Sequence, residues 1–151
     1  MIKLRVTELK DINTYFNLAN DDSVRKLSFN SEKISFQEHV NWFTDHLKDK
    51  NCFMFIFSTN TDIGQVRIQK ISNKDAIINI SLDKNFRGKG YGVQMLKMTI
   101  ELFRKSFPKI IINAYIKIEN VASKGVFEKS GFTFQQLLIY NNIKSYHYIN
   151  I

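Results

Sequence analysis

Ile77-Ile78-Asn79-Ile80-Ser81-Leu82 runs without a break into Asp83-Lys84-Asn85-Phe86-Arg87-Gly88-Lys89-Gly90-Tyr91-Gly92. The apolar opening reads as a strand. Beyond Gly90 the period changes: Val93, Leu96, Ile100, Phe103 and Phe107 fall on one side of a helix, which Pro108 ends. Gly88, Gly90 and Gly92 stand at the junction, where glycine lets a backbone approach a ligand with no Cβ between them. The first N–H groups of a helix lack internal partners, and with the helix dipole they suit a phosphate or pyrophosphate. Lys84, Arg87 and Lys89 add positive charge to the same turn. A turn that only reverses the chain requires neither these glycines nor these cations, so an anion site is expected here.

Two common phosphate motifs fail. A P-loop needs Ser or Thr after Gly-Lys, and Gly88-Lys89 is followed by Gly90. A dinucleotide fingerprint starting at Gly88 needs a small residue where Val93 stands, and it belongs after the first strand of a βαβ unit.

Upstream, Ile2 to Val6 alternates like a first strand, and Asp11 to Asn20 carries Ile12, Tyr15, Phe16 and Ala19 at helical spacing. A short helix from Asp21-Asp22 through Leu27 and a polar loop, Ser28 to Lys33, follow. Ser35-Phe36-Gln37-Glu38 has the form of a capping box. The helix after it is expected to bury Phe36, Val40, Phe43 and Leu47, with His39, Trp42 and His46 on the neighbouring stripe. Cys52 to Ser58, Ile63 to Ile71 and Ala76 to Asp83 read as a meander of strands. Downstream, Lys109 to Lys117 is a strand and Asn120 to Ser130 a helix capped by Gly131. Phe132 to Tyr140 and Lys144 to Ile151 form a hairpin around Asn141-Asn142. The order β-α-α-α-β-β-β-α-β-α-β-β predicts an α/β fold, a mixed sheet flanked by helices.

The chain of 151 residues suits one domain, 1–151, with a core well supplied by its 13 Phe and 6 Tyr. Cys52 has no cysteine to pair with and reads as a packed thiol in a reducing compartment. No apolar run reaches the ~18 residues of a membrane span, and Met1 to Val6 has no leader pattern, so a cytoplasmic location is expected. The net charge of +8 is scattered along the chain without a basic run, which favours a small polyanionic ligand over nucleic acid. No metal is expected.

Arg87-x-x-Gly90-x-Gly92 resembles the Q/R-x-x-G-x-G/A pyrophosphate loop of the GNAT superfamily of N-acetyltransferases. Asn120-Val121-Ala122-Ser123-Lys124-Gly125-Val126-Phe127-Glu128-Lys129-Ser130-Gly131-Phe132 resembles the family's N-x-x-A-x-x-L-Y-E-K-x-G-F segment, at the family's distance from the loop. The order of elements agrees along nearly the whole chain. The resemblance implies acetyl-coenzyme A as co-substrate, lying where the strands Ala76 to Asp83 and Lys109 to Lys117 splay apart. Backbone at Ile80, Ser81 and Leu82 would hold the pantetheine and acetyl carbonyl. The N–H groups of Arg87, Gly88, Lys89, Gly90, Tyr91 and Gly92 would hold the pyrophosphate. Asn120, Ser123 and Phe127 would flank the arm near the thiol.

The reaction this implies is attack of a neutral amine on a thioester, which calls for a base, an oxyanion donor and often an acid. The family's acid is a Tyr at the position of Phe127, which has no proton to give. Either Ser123, Tyr115 or Tyr140 serves as donor or the thiolate leaves to solvent, and His39 and His46 are the candidate bases; solvent-facing histidines are the plain alternative. The segment Val24 to Phe43 resembles members that acetylate 4-amino-sugar nucleotides in surface-glycan pathways. That likeness implies acceptor contacts by Arg25, Phe29, Asn30, Trp42 and Arg67, with core packing the alternative for Phe29 and Trp42. A peptide N-terminus is the second acceptor expected, and a positively charged protein disfavours a polyamine. An acyl-coenzyme A sensor without turnover is a further reading, raised by Phe127. Both monomer and homodimer are compatible with the sequence.

Overall fold

A computed structural model describing residues 1–151 joins seven strands in one sheet. They are β1 (Lys3–Val6), β2 (Cys52–Ser58), β3 (Asp62–Lys70), β4 (Asp75–Leu82), β5 (Ile111–Lys117), β6 (Thr133–Tyr140) and β7 (Ile143–Asn150). The order across the sheet is β1-β2-β3-β4-β5-β7-β6, antiparallel throughout except for the parallel pair β4–β5. The helices are α1 (Ile12–Asn20), α2 (Asp22–Leu27), α3 (Phe36–Lys48), α4 (Tyr91–Ser106) and α5 (Val121–Lys129). This is the expected mixed α/β architecture.

Strand alternation sorts the side chains onto two faces. Phe55 and Phe57 of β2 join Val66, Ile68, Ile78 and Leu96 in the main core beside α4. Met54 and Ile56, pointing the other way, pack with Tyr15 of α1 and Phe43 of α3 in a smaller cluster. On β3, Gln65 and Arg67 alternate with the core residues Val66 and Ile68, and so share the face of α1 and α3.

The local stops follow from turn chemistry. Gly131, at φ +93°, ends α5 in a Schellman motif: Phe132 N–H donates to the Phe127 carbonyl at 3.1 Å and Gly131 N–H to the Glu128 carbonyl at 3.2 Å. Asn141 and Asn142 adopt φ of 48° and 65°, as a two-residue hairpin turn matched to strand twist demands.

The structure rotates α3 from its expected setting. Phe36 is exposed and touches Phe16 edge-on, while His39 and Phe43 are buried. The reason is a single bond: the His39 Nε2–H donates to the Ile12 carbonyl at 2.9 Å, which lets a polar ring enter an apolar seam. Neither candidate histidine faces solvent freely, since His46 is half-buried against Trp42. Ser35 caps α3 by accepting from Glu38 N–H, which is one half of the expected box.

Candidate active site

Strands β4 and β5 pair only at Asp75–Ile111, Ala76–Ile112 and Ile77–Asn113. Beyond these positions β4 continues to Leu82 and β5 to Lys117, so the facing edges diverge and their backbone polar groups lack each other as partners. A cavity of about 1120 Å³ fills the gap and continues over α1, α2 and α3. Single small-molecule sites run to roughly 1,000 Å³, so there is room here for a cofactor arm and an acceptor side by side.

Ile80, Ser81 and Leu82 line one wall, and Asn120, Ser123 and Phe127 the other. Asn120 Oδ1 accepts from Ser123 N–H at 3.2 Å and so caps α5. Phe127 is buried edge-on against Phe132. At one end lies the glycine turn. Gly88 and Gly90 have φ of +75° and +83°, and a Cβ built on either would meet nothing within 4 Å. The backbone therefore requires glycine while the protein leaves the space beside it open. Gly90 is also the N-cap of α4 and supplies no side-chain acceptor, so no cap engages the first N–H groups of a 16-residue helix. These features fit a pyrophosphate. Gly92 has a different reason to be small, since its Cβ would meet Val126 Cγ1 at 3.2 Å.

Two of the expected cations are placed otherwise than anticipated. The Arg87 side chain leaves the turn, donating through Nε to the Leu82 carbonyl at 3.0 Å and through Nη1 to Ser23 Oγ at 2.8 Å. Its Nη2 lies 3.7 Å from Asp21 Oδ1. The Ser23 hydroxyl, two backbone N–H groups and this arginine together hold the Asp21 carboxyl below its ordinary range. Arg87 thus ties the turn to α2, and its own N–H remains for a ligand. Lys89 lies outside the cavity lining, its Nζ 5.8 Å over Phe86, on which Tyr91 also packs.

Away from the glycine turn the cavity is lined by Arg25, Phe29, Asn30, Trp42 and Arg67, the residues at which acceptor contacts are expected. Arg25 donates through Nη1 to the Asn30 carbonyl at 2.9 Å and through Nη2 to Ser28 Oγ at 3.2 Å, which shapes the loop before α3. Phe29 packs edge-on against Tyr140 at 4.9 Å. Trp42 is half-buried against the small cluster and also lines the cavity. The Arg67 guanidinium lies 4.9 Å over the Trp42 ring, and its buried Nε has no hydrogen-bond partner. Burial pushes the Arg67 pKa down, and no carboxylate opposes that effect. Glu38 is the one acidic side chain in the whole lining.

His39 also lines this half, buried against Phe16, Trp42 and Phe43. Burial outweighs the hydrogen bond to the Ile12 carbonyl and holds its pKa down. A ring that donates through Nε2 and is neutral keeps its lone pair on Nδ1. Tyr115 lies between two parallel rings, Tyr140 at 4.1 Å and His147 at 4.7 Å. Burial raises its pKa, so it keeps its proton at neutral pH. Three lining residues escaped the sequence reading. Gln65 has a buried Oε1 without a partner, Glu38 supplies the sole acid, and Lys117 is a buried cation at the end of β5. Alternation was the available signal for two of them, since it sets Gln65 beside Arg67 and Lys117 beside Tyr115.

Residues 2–133 match the Acetyltransferase (GNAT) domain family. No curated protein matches the chain. Among solved structures the fold is similar to that of a spermidine N-acetyltransferase from Vibrio cholerae in complex with CoA and spermine. That comparison has a TM-score of 0.85 and 19% identity over 98% of this chain and 93% of that one. Aminoglycoside acetyltransferase AAC(6')-Ib in complex with coenzyme A and kanamycin gives 0.84 and 14% identity over 99% and 94%. A domain from Methanocaldococcus jannaschii DSM 2661 gives 0.84 and 18% over 99% and 97%. With a splayed sheet, an open glycine turn and a family match over most of its length, the chain belongs to the GNAT acetyltransferases and is an acetyl-coenzyme A-dependent N-acetyltransferase.

Proposed function

We propose that the acceptor is an anionic amine, the 4-amino group of a UDP-linked amino-deoxy sugar such as surface-glycan or flagellin-glycan pathways use. The observation that carries this reading is Arg67, a guanidinium with no carboxylate partner in an acceptor chamber that contains a single acid, Glu38. Burying an unpaired charge is costly unless a ligand supplies the counter-charge. A diphosphate would supply it, with the Trp42 and Phe29 rings offering faces to a base or sugar. The structures similar in fold hold spermine and kanamycin, both polycations, and a chamber bearing Arg25 and Arg67 against one acid disfavours such ligands.

The chemistry assigned to each group follows from its placement. Backbone groups of the free β4 edge hold the thioester, and the glycine turn holds the pyrophosphate. A His39 lone pair at Nδ1 takes the proton of the attacking amine, and Tyr115 or Ser123 stands as donor on the acceptor side.

The deciding experiment is thiol release from acetyl-coenzyme A with a UDP-4-amino-sugar, a peptide amine and spermidine offered in parallel. Turnover confined to the amino-sugar nucleotide is the expected result. Turnover confined to the peptide would replace this acceptor with a polypeptide N-terminus. Binding of the cofactor with no release on any acceptor would favour an acyl-coenzyme A sensor.

A further inference from the structure

Phe127 leaves the departing thiolate without the family's proton donor, and a buried cation lines the same cavity. Lys117 is the last residue of β5, 8% exposed, and lines the cavity in the segment that has parted from β4. Its ammonium has three N–H donors. The protein engages them thinly: Nζ donates to the Lys26 carbonyl of α2 at 3.3 Å and lies 3.9 Å from Glu119 Oε1, a carboxylate that is itself mostly exposed. No other acid is within pairing distance of Lys117. Three residues on, Asn120 starts the nine-residue α5, whose positive N-terminal end faces the same cavity. Glu119 is a distant and mostly exposed counter-charge, so the ammonium keeps donors that an anion in the cavity would engage.

We propose that Lys117 stabilises the coenzyme A thiolate as it leaves, in place of an acid at Phe127. This rests on the reading that the pantetheine arm runs between β4 and β5. The amine nitrogen bonds to the thioester carbon, the C–S bond breaks, and its electron pair goes to sulfur. The amine's proton passes to base or solvent. The thiolate departs paired with the Lys117 ammonium and is protonated by water outside the site. Phe127 then supplies packing alone, and turnover requires no hydroxyl at that position.

The test uses coenzyme A itself, so it does not depend on the acceptor. The ultraviolet absorbance of thiolate is followed against pH for coenzyme A bound to the wild type, Lys117→Met and Lys117→Arg. An ordinary thiol titrates near about 8.5. The bound thiol is expected to titrate at least about one unit lower in the wild type and Lys117→Arg than in Lys117→Met. Turnover with hydroxylamine, a small neutral nucleophile, should fall at least about 10-fold in Lys117→Met, with little change in KM for acetyl-coenzyme A. If Lys117 only anchors α2 through Lys26, Lys117→Met melts earlier but its bound thiol titrates as in the wild type, and the proposal fails. Should Lys117→Met not fold, Lys117→Gln keeps a donor for the Lys26 carbonyl and answers the same question. Failure of the wild type to bind coenzyme A would instead overturn the placement of the pantetheine arm.

Discussion

Gly90 combines a left-handed backbone with open space where a side chain would stand, and these two facts predict different effects of Gly90→Val. The backbone effect is strain, about 1–2 kcal/mol for a Cβ at φ +83°. The spatial effect is a branched side chain in the volume assigned to the pyrophosphate. Calorimetry should therefore find no acetyl-coenzyme A binding to a variant that still melts cooperatively at a reduced temperature. Ordinary affinity in that variant would remove the turn from the cofactor site. Arg67 makes the opposite bargain. It is an unpaired guanidinium over Trp42, so Arg67→Met should raise stability by roughly 1 kcal/mol, because a buried charge without a partner is replaced by an apolar chain of similar reach. The same change should raise KM for an anionic acceptor at least about 10-fold and leave KM for acetyl-coenzyme A alone. A stability gain with unchanged acceptor kinetics would show that Arg67 faces no ligand.

Gly64 lies on β3 opposite Leu82, at the end of β4 that runs free of β5. A Cβ there would come 2.5 Å from the Ser81 carbonyl oxygen and 2.7 Å from Met95 Cε. Met95 can swing, but the carbonyl is part of the β3–β4 ladder and cannot. Gly64→Ala should then cost about 1–3 kcal/mol and lower turnover by shifting the strand proposed to carry the thioester; an unchanged melting temperature would mean the ladder yields freely. Elements of this kind were partly legible beforehand. Strand alternation, the Asn141-Asn142 turn and the Gly131 stop are written in neighbouring residues, and the structure forms all three where the sequence places them. The glycine turn was legible for the same reason. The setting of α3 was not, because His39 looks polar until its one N–H finds the carbonyl of Ile12, 27 residues away. The Arg87 side-chain bond to Ser23 was not legible either, because the two lie 64 residues apart. Lys117 reads as an ordinary strand-end lysine until α2 closes over it. Local spacing carries the ladder and the turns; side-chain partners set by tertiary packing do not appear in it.

Across the molecule, the buried histidines determine how the fold responds to acid. His39 and His147 both have pKa values held below the ordinary one, chiefly by burial. His39 already donates to Ile12, and His147 bonds through Nε2 to Asn113 Oδ1 at 2.7 Å while its Nδ1 is buried with no partner. Asn113 Nδ2 donates to the Ala76 carbonyl, so its oxygen accepts and the His147 Nε2 carries the hydrogen. Protonating Nδ1 would add a buried donor with nowhere to point. Both rings therefore bind protons more weakly in the folded chain than in the unfolded one. Between the unfolded value of about 6.5 and the lower folded values, the unfolded state takes up more protons. The contribution of each ring to stability is fully present above about pH 6.5 and is lost as pH falls through that window. Carboxylates such as Asp21 and Glu128, whose pKa values are also lowered, add their losses further into acid. Urea melts at about pH 7.5 and about pH 5.5 should show a clear drop in stability over this first step. His147→Gln, whose amide can still donate to Asn113 but cannot take on a charge, should flatten part of that drop. An equally steep drop in the variant would place the acid sensitivity elsewhere, with His39 the next ring to replace.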